Sequence, residues 1–476
     1  MNLNLTQEQQ DVVDYIVSND ENKLILIDSV AGSGKTTLLT AIAQSVGSAP
    51  GLYLAYNKAI ATSSGKKFPK NIDCRTTHSL AYKATVVPLG LKVGFFGTRQ
   101  ITENMPYLDK FNLIEDIKEY CLSKYLTYEE FAEKNYKRNT VLANNYLHLM
   151  QTGKIECTHD FYLKLYHILL HNGDIVPAEC NLLMLDEAGD LNEVTLEIFK
   201  LLPATIKVAV GDPHQNIYTF NYTINCFEHL KGKGKTFKLS KSFRVPDYIA
   251  ASVEAFCKAY LDPEMEFKGV DPSNTDIKTR GYISRTNAGL INKLIELNTD
   301  KIPYGLVRKA QEIFKIPLMV AGLKYQGKIY DQAYKHLQDD VDSWYENENN
   351  IKVTHSTLMG YLKSKYADDL SLIQAINLIS KHGKSGIFNA YAEAKMHENT
   401  KQDFMLLTAH SSKGLEFDEV MLAPDMNLSI EDLIVSIKQD PEKVLSPFDR
   451  ESLNLYYVAC TRALVRLRNA TQLVSI

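Results

Sequence analysis

No apolar run in the sequence approaches the roughly 18 residues of a membrane-spanning helix, the longest being short pieces such as Leu182–Leu185. A chain that crosses a bilayer by helices is therefore not expected. The first residues, Met1-Asn2-Leu3-Asn4-Leu5, lack both a cationic and an apolar stretch, so no secretion signal is expected either. Cysteine is sparse, and the seven scattered residues include no C-x-x-C pair. That speaks against a disulfide framework and a structural zinc site, and for a reducing, cytoplasmic compartment. Neither sign of charge dominates: 53 Lys and Arg against 57 Asp and Glu leave -4. A nucleic acid would have to be held in a local groove rather than on a globally basic face. With 45% hydrophobic and 23% charged residues over 476 positions, a disordered or low-complexity chain is excluded, and there is room for two or three packed domains.

What is present is a repeated alternation. Short β-type runs at Leu24–Ile27, Leu52–Ala55, Leu182–Leu185 and Val208–Val210 stand next to helical stretches, the pattern of a parallel sheet wound with helices. Between the second and third runs, about Val86 to Glu179, helical periodicity prevails. The β pattern returns at Gly281–Ser284, Phe404–Thr408 and Glu419–Leu422, and is interrupted by a polar, helical stretch from about Tyr325 to Thr400. The expected fold class is α/β, with two parallel-sheet domains that each carry a mostly helical insert. Residues 1–85 and 180–232 make the first domain and 86–179 its insert; 233–324 and 401–476 make the second and 325–400 its insert. Gly232-Lys233-Gly234-Lys235 is the hinge candidate between the two halves.

The strand at Leu24–Ile27 runs into Ser29-Val30-Ala31-Gly32-Ser33-Gly34-Lys35-Thr36-Thr37, and a helical pattern follows. Glycines there let backbone N–H groups turn inward to hold phosphate oxygens, and the helix N-terminus adds its positive dipole end. Lys35 supplies a point charge and Thr36 a hydroxyl for Mg²⁺. Ala31, Gly32, Ser33, Gly34, Lys35, Thr36 and Thr37 are thus the core of an ATP-binding loop. A phosphate loop needs a carboxylate at the end of a neighbouring strand, and Leu182–Leu185 leads straight into Asp186-Glu187-Ala188. Asp186 is expected to hold Mg²⁺, and Glu187 to orient and deprotonate the attacking water. The next strand, Val208–Val210, ends in Gly211-Asp212-Pro213-His214-Gln215-Asn216-Ile217-Tyr218-Thr219-Phe220. Gln215 can reach a γ-phosphate, while Tyr218 and Phe220 alternate like platforms for stacked bases.

Together with Asp186-Glu187-Ala188, that last stretch resembles the UvrD-like superfamily 1 DNA helicases, in particular the branch of F-box DNA helicases. The resemblance runs through almost the whole chain in motif order and is weakest in the two inserts. It implies two RecA-like motor domains, ATP and Mg²⁺ as cofactors, and single-stranded DNA with single/double-strand junctions as substrate. Leu5-Thr6-Gln7-Glu8-Gln9 is similar to the motif whose glutamine, here Gln9, reads the adenine edge. Tyr56-Asn57-Lys58 and Thr76-Thr77-His78-Ser79 resemble two DNA-contacting motifs, which places Tyr56, Asn57, Lys58, Thr77 and His78 on the DNA track. Ser242-Phe243-Arg244 resembles the motif whose aromatic stacks on adenine and whose arginine meets the γ-phosphate. Arg285, in Ile283-Ser284-Arg285-Thr286-Asn287, and His410, in Thr408-Ala409-His410-Ser411, are implied DNA contacts of the second domain. Glu416 is implied near the ribose, and Arg462, in Thr461-Arg462-Ala463, as the second arginine finger. Lys35, Glu187, Gln215, Arg244 and Arg462 form the implied catalytic set, with both arginines on the far side of the hinge.

Departures sharpen the expectations. Relatives commonly carry Gln where this chain has Gly189, an arginine where it has Thr37, and a DNA-backbone arginine where it has Asn221. The glutamine motif begins almost at the first residue and little follows Arg462, so neither an F-box nor a fused nuclease is expected. The implied activity is a DNA helicase moving 3′ to 5′, with replication or recombination proteins as partners. A translocase that strips proteins from DNA and a weakly hydrolysing, nucleotide-sensing recruitment module remain as alternatives.

Overall fold

The computed structural model describes residues 4–18, 23–218, 221–272, 275–323, 336–347, 355–398, 400, 402–428 and 430–469. The chain divides into two units, one of Met1–Arg244 with Glu266–Val270, the other of Val245–Met265 with Asp271–Ile476.

The first unit is built on β1 (Lys23–Ser29), β2 (Gly51–Ala55), β3 (Ile72–Thr76), β4 (Cys180–Leu185), the two-residue β5 (Leu191–Asn192), β6 (Ala204–Gly211), β7 (Thr223–Ile224), β8 (Lys235–Leu239), β9 (Lys241–Pro246) and β10 (Lys268–Val270). Six of these form one sheet in the order β3-β2-β4-β6-β1-β8, every pair parallel. Strand alternation divides the core. Ile25 and Ile27 of β1, with Leu182 and Met184 of β4, face the core shared with the Gln7–Val17 and Lys35–Ser45 helices. Leu26, Leu183 and Leu185 point to the opposite face, where the segment between β3 and β4 is stacked. Covered on both faces, these strands read as continuous apolar runs. The segment over the second face is helical, with its principal helices at Tyr107–Leu122, Tyr128–Lys134, Thr140–Gln151 and His159–Asn172. Inside it, buried Lys164 donates from Nζ to the carbonyls of Ser123 (2.6 Å) and Tyr125 (2.8 Å).

The expected border at 233 differs from the structure. Lys235–Leu239 is the edge strand beside β1, in register from Ile25↔Lys235 to Ser29↔Leu239. The first unit consequently runs to Arg244. Gly232 and Gly234 sit at the entry to a strand of the first sheet, where a Cβ on Gly234 would lie 2.4 Å from the Leu24 carbonyl oxygen.

The second unit carries β11 (Arg280–Ser284), β12 (Gly305–Leu306), β13 (Phe404–Thr408), β14 (Phe417–Leu422) and β15 (Ala463–Asn469), ordered β12-β13-β11-β14-β15 and all parallel. Between β12 and β13 the described elements are helices, among them the long Leu370–Met396 stretch, which is interrupted at Gly383 (φ 69°). The α/β class with two parallel sheets is as expected. Among the described residues no helix is long and apolar enough to cross a membrane, and no cluster of three metal-ligating side chains occurs.

Candidate active site and nucleic-acid track

At the end of β1, Ser29 donates from Oγ to the Gly211 carbonyl (2.7 Å), which ties the phosphate loop to the end of β6. Gly34 caps the Lys35–Ser45 helix in the left-handed region (φ 78°), and no side chain caps that end. The first-turn N–H groups of the helix are thus left for an anion. Gly32 is also left-handed (φ 75°), and a Cβ there would lie 2.7 Å from both Arg244 Cβ and Ser242 Oγ. A Cβ on Gly34 would lie 3.0 Å from Gln9 Nε2 and 3.4 Å from Phe243 Cε2. Gln9, Phe243 and Arg244 therefore surround the loop. Phe243 is held there by its backbone N–H, which donates to the Gly32 carbonyl (2.8 Å).

Two expectations change here. Arg244 was placed on the opposite domain; it stands in the first unit against the loop, because β9 follows β8 out of the same sheet. Gln9 is engaged by the chain itself. Its Oε1 accepts from Thr6 N (3.1 Å), closing a capping box, and its Nε2 donates to the Ser33 carbonyl (3.1 Å). Gln9 braces the loop.

The acids lie where the motif puts them. Asp186, buried at the end of β4, accepts from Tyr53 Oη (2.6 Å) and from the Glu187 N–H (2.9 Å). Burial, and next the charge of Glu187, push its carboxyl up to about 6. Lys35 Nζ is 3.8 Å from Glu187 Oε1. Glu187 occupies the left-handed region (φ 54°), uncommon for a residue with a side chain and typical of strain held at working sites. Behind it, Gly189 presses on the loop that follows β6: a Cβ there would sit 2.3 Å from the Asp212 carbonyl oxygen and 2.9 Å from its carbon. Asp212 in turn accepts from Gln215 Nε2 (2.7 Å) and His214 N (3.0 Å).

These residues fit Mg²⁺ and a triphosphate. Besides the uncapped N–H groups and Lys35, the buried Ser33 Oγ has no hydrogen-bond partner among the described residues. Asp186, driven upward by burial and a like charge, is the carboxylate that a cation would relieve. Thr36 is exposed at the helix start, where its hydroxyl can reach such a cation, and Thr37 beside it is exposed as well.

A cavity of about 380 Å³ in the first unit gathers part of the expected DNA track, with Tyr56, Thr77, His78 and Tyr218 among its lining. Asn57 and Lys58 are exposed outside that lining, and the Asn57 carboxamide oxygen caps the next helix at Ile60 N (2.9 Å). Phe220 lies outside the described residues. Burial, and then His159, push the His78 imidazole down, so it is neutral at physiological pH. Asp186 and Asp190 also line this cavity, as do Lys118 and Asp160 from the helical segment, which the sequence reading missed. Helical periodicity marks an apolar face but not the partner that face meets.

In the second unit, Arg285 Nε is buried without a hydrogen-bond partner among the described residues. The Arg285 backbone N–H donates to Asp425 Oδ1 (3.0 Å), whose carboxylate also gathers Ser284 Oγ (2.7 Å) and Thr286 Oγ1 (2.8 Å). His410 Nε2 is 3.2 Å from Oε1 of buried Glu451, a partner absent from the sequence reading. Glu416 is exposed. Arg462 is buried and donates to the Val458 carbonyl (2.9 Å) and Thr461 Oγ1 (3.0 Å) at the end of its own helix.

A parallel sheet whose inner strand ends in a phosphate loop, flanked by strands ending in an acid pair and a glutamine, belongs to the RecA-like nucleotide-binding motors. Residues 13–221 match the family described as AAA domain. Over 97% of its length the chain is 26% identical to F-box DNA helicase protein 1 of Schizosaccharomyces pombe, and over 96% it is 25% identical to F-box DNA helicase 1 of Gallus gallus. The matches take in 57% and 48% of those proteins, so the chain spans about half the length of the curated relatives it matches. Over most of its length the chain is therefore similar to F-box DNA helicases.

Proposed function

We propose that the chain is an ATP-dependent DNA helicase, a motor that moves on single-stranded DNA 3′ to 5′ and uses hydrolysis to separate strands. The observation that carries this reading is the double position of Asp186. It stands beside Glu187 and within electrostatic reach of Lys35, and it also lines the cavity with Tyr56, His78 and Tyr218. One carboxylate thus belongs to both the nucleotide site and the DNA track. Mg²⁺ would supply charge neutralisation of the phosphates when bound at Thr36 and Asp186. Lys35 and the open helix N-terminus hold the phosphates. Glu187 takes the proton from the attacking water, and Gln215 and Arg244 would meet the γ-phosphate. Arg462 of the second unit is the second finger, and Arg285 and His410 are that unit's DNA contacts.

The test is strand displacement on 3′-tailed and 5′-tailed duplexes beside ATPase measurements with and without single-stranded DNA. Glu187→Gln should retain Mg·ATP binding and lose about 10²-fold or more in turnover. Near-normal hydrolysis in that variant rejects the catalytic assignment. DNA-stimulated hydrolysis without displacement on either tail replaces strand separation by protein stripping, and negligible hydrolysis in the unaltered chain favours a nucleotide-sensing module.

A further inference from the structure

We propose that the cavity bounded by Tyr56, Tyr218 and Asp160 is base-selective: it takes nucleobases that carry an exocyclic amino group in preference to those with a carbonyl at that position, and Asp160 of the helical segment is the selecting residue. The inference rests on the DNA-binding reading and makes it chemically specific.

At about 380 Å³ the cavity lies in the size range of ligand sites, and two tyrosines line it within electrostatic reach of one another. Its charges decide which part of a strand can enter. Asp160, Asp186 and Asp190 are carboxylates, and Lys118 is the lysine among the lining residues. His78 adds no charge at neutral pH, held neutral by burial and by His159 at a ring distance of 6.5 Å. Asp160 and Asp190 outnumber Lys118 even where Asp186 is taken up by a cation, so a phosphate would meet an excess of like charge, the backbone stays outside and the base turns in.

Inside, the threonines, asparagines and tyrosines of the lining can donate or accept, whereas the carboxylates only accept. Cytosine N4 and adenine N6 are amino donors that a carboxylate accepts, whereas thymine and uracil offer O4, an acceptor facing an acceptor. Asp186 is already engaged by Tyr53 and the Glu187 N–H, and Asp190 is only 2% exposed. Asp160 differs from both. It sits in the first turn of the His159–Asn172 helix, half-buried, and reaches the cavity from the helical segment.

The experiment is equilibrium binding of the full chain to oligo(dC), oligo(dU) and oligo(dT) of equal length at fixed salt, read by fluorescence anisotropy. Cytosine and uracil differ at the 4-position, while uracil and thymine differ only by a methyl group. The expected result is oligo(dC) over oligo(dU) by about three- to tenfold, the low end of one amino–carboxylate pair, with oligo(dU) and oligo(dT) alike. Asp160→Asn should bring the preference within about twofold, with Asp160→Ala as the second variant and melting temperature as the check on folding. Equal affinity of the unaltered chain for oligo(dC) and oligo(dU), or a preference that survives both variants, overturns the proposal. Failure of every oligonucleotide to bind overturns instead the DNA-binding reading beneath it.

Discussion

Gly189→Ala tests the contact between the acid loop and the glutamine loop with one methyl group. The added carbon would lie 2.3 Å from the Asp212 carbonyl oxygen. An ordinary carbon–oxygen approach is about 3.3 Å, so one loop must retreat by about 1 Å. Neither neighbour is a flexible side-chain end, since the obstructing atoms are the Asp212 backbone oxygen and carbon and the Pro213 nitrogen. Overpacking of this kind costs about 1–3 kcal/mol, which lowers the melting temperature by several degrees. Catalysis should lose more than stability. Asp212 holds Gln215 Nε2 at 2.7 Å, so a retreating Asp212 carries Gln215 with it, and a 1 Å misplacement costs about 10²-fold in rate. Glutamine, which the resemblance places at this position in relatives, should be worse than alanine here rather than restorative. The assay combines thermal melting, binding of a fluorescent ATP analogue and DNA-stimulated ATPase on the same preparations. Nucleotide affinity should stay within a few-fold, because the atoms nearest the added carbon belong to Asp212 and Pro213. A Gly189→Ala protein that melts and hydrolyses like the unaltered chain would refute the reasoning.

Two further predictions concern protons. Tyr53→Phe removes the 2.6 Å donor to Asp186, whose carboxyl already stands at about 6. Losing a bond to a charged group, about 1.5–3 kcal/mol, should raise that value by about one to two units in the metal-free protein, so that protons compete harder with Mg²⁺ and the acid limb of the ATPase pH profile moves upward, with activity recovered at higher pH; superimposable profiles would reject the link. His167 is buried, its Nδ1 has no partner among the described residues, and burial and then Lys164 push the imidazole down to about 3. The unfolded chain binds this proton near pH 6.5 and the folded chain does not. Its contribution is therefore intact above pH 6.5 and is lost toward pH 3 at about 1.4 kcal/mol per pH unit. Denaturant titrations of His167→Phe should show a flatter acid side than the unaltered chain, and equal slopes would exclude His167 as an acid-sensitive group.

What the sequence makes legible is what lies contiguous in it. Lys35, Thr36, Asp186, Glu187 and Gln215 follow apolar strands at once or after a short loop, and the parallel strands bring them to the C-terminal end of the sheet. Arg244 was misplaced because its side depends on the pairing of β8 with β1, strands from opposite ends of the first unit. Asp160 and Lys118 were missed because the amphipathic period of a helix carries no information about the cavity it borders. Gly189 was read as a missing amide, whereas a backbone-to-backbone contact occupies that space. Glu451 escaped notice because nothing in its local pattern announces the imidazole of His410, far away in the chain.

The strand order also sets a timetable for assembly. β1 bears the phosphate loop, and its sheet neighbours are β6 and β8, both of which follow it in the chain beyond the long helical segment. Pairings so distant in sequence must close a large loop before any contact repays the entropy, which slows folding and leaves early strands exposed. The loop that would hold the nucleotide is therefore made before both sheet neighbours of its strand and completed only after them, and a lesion that delays the helical segment would delay the ATP site with it.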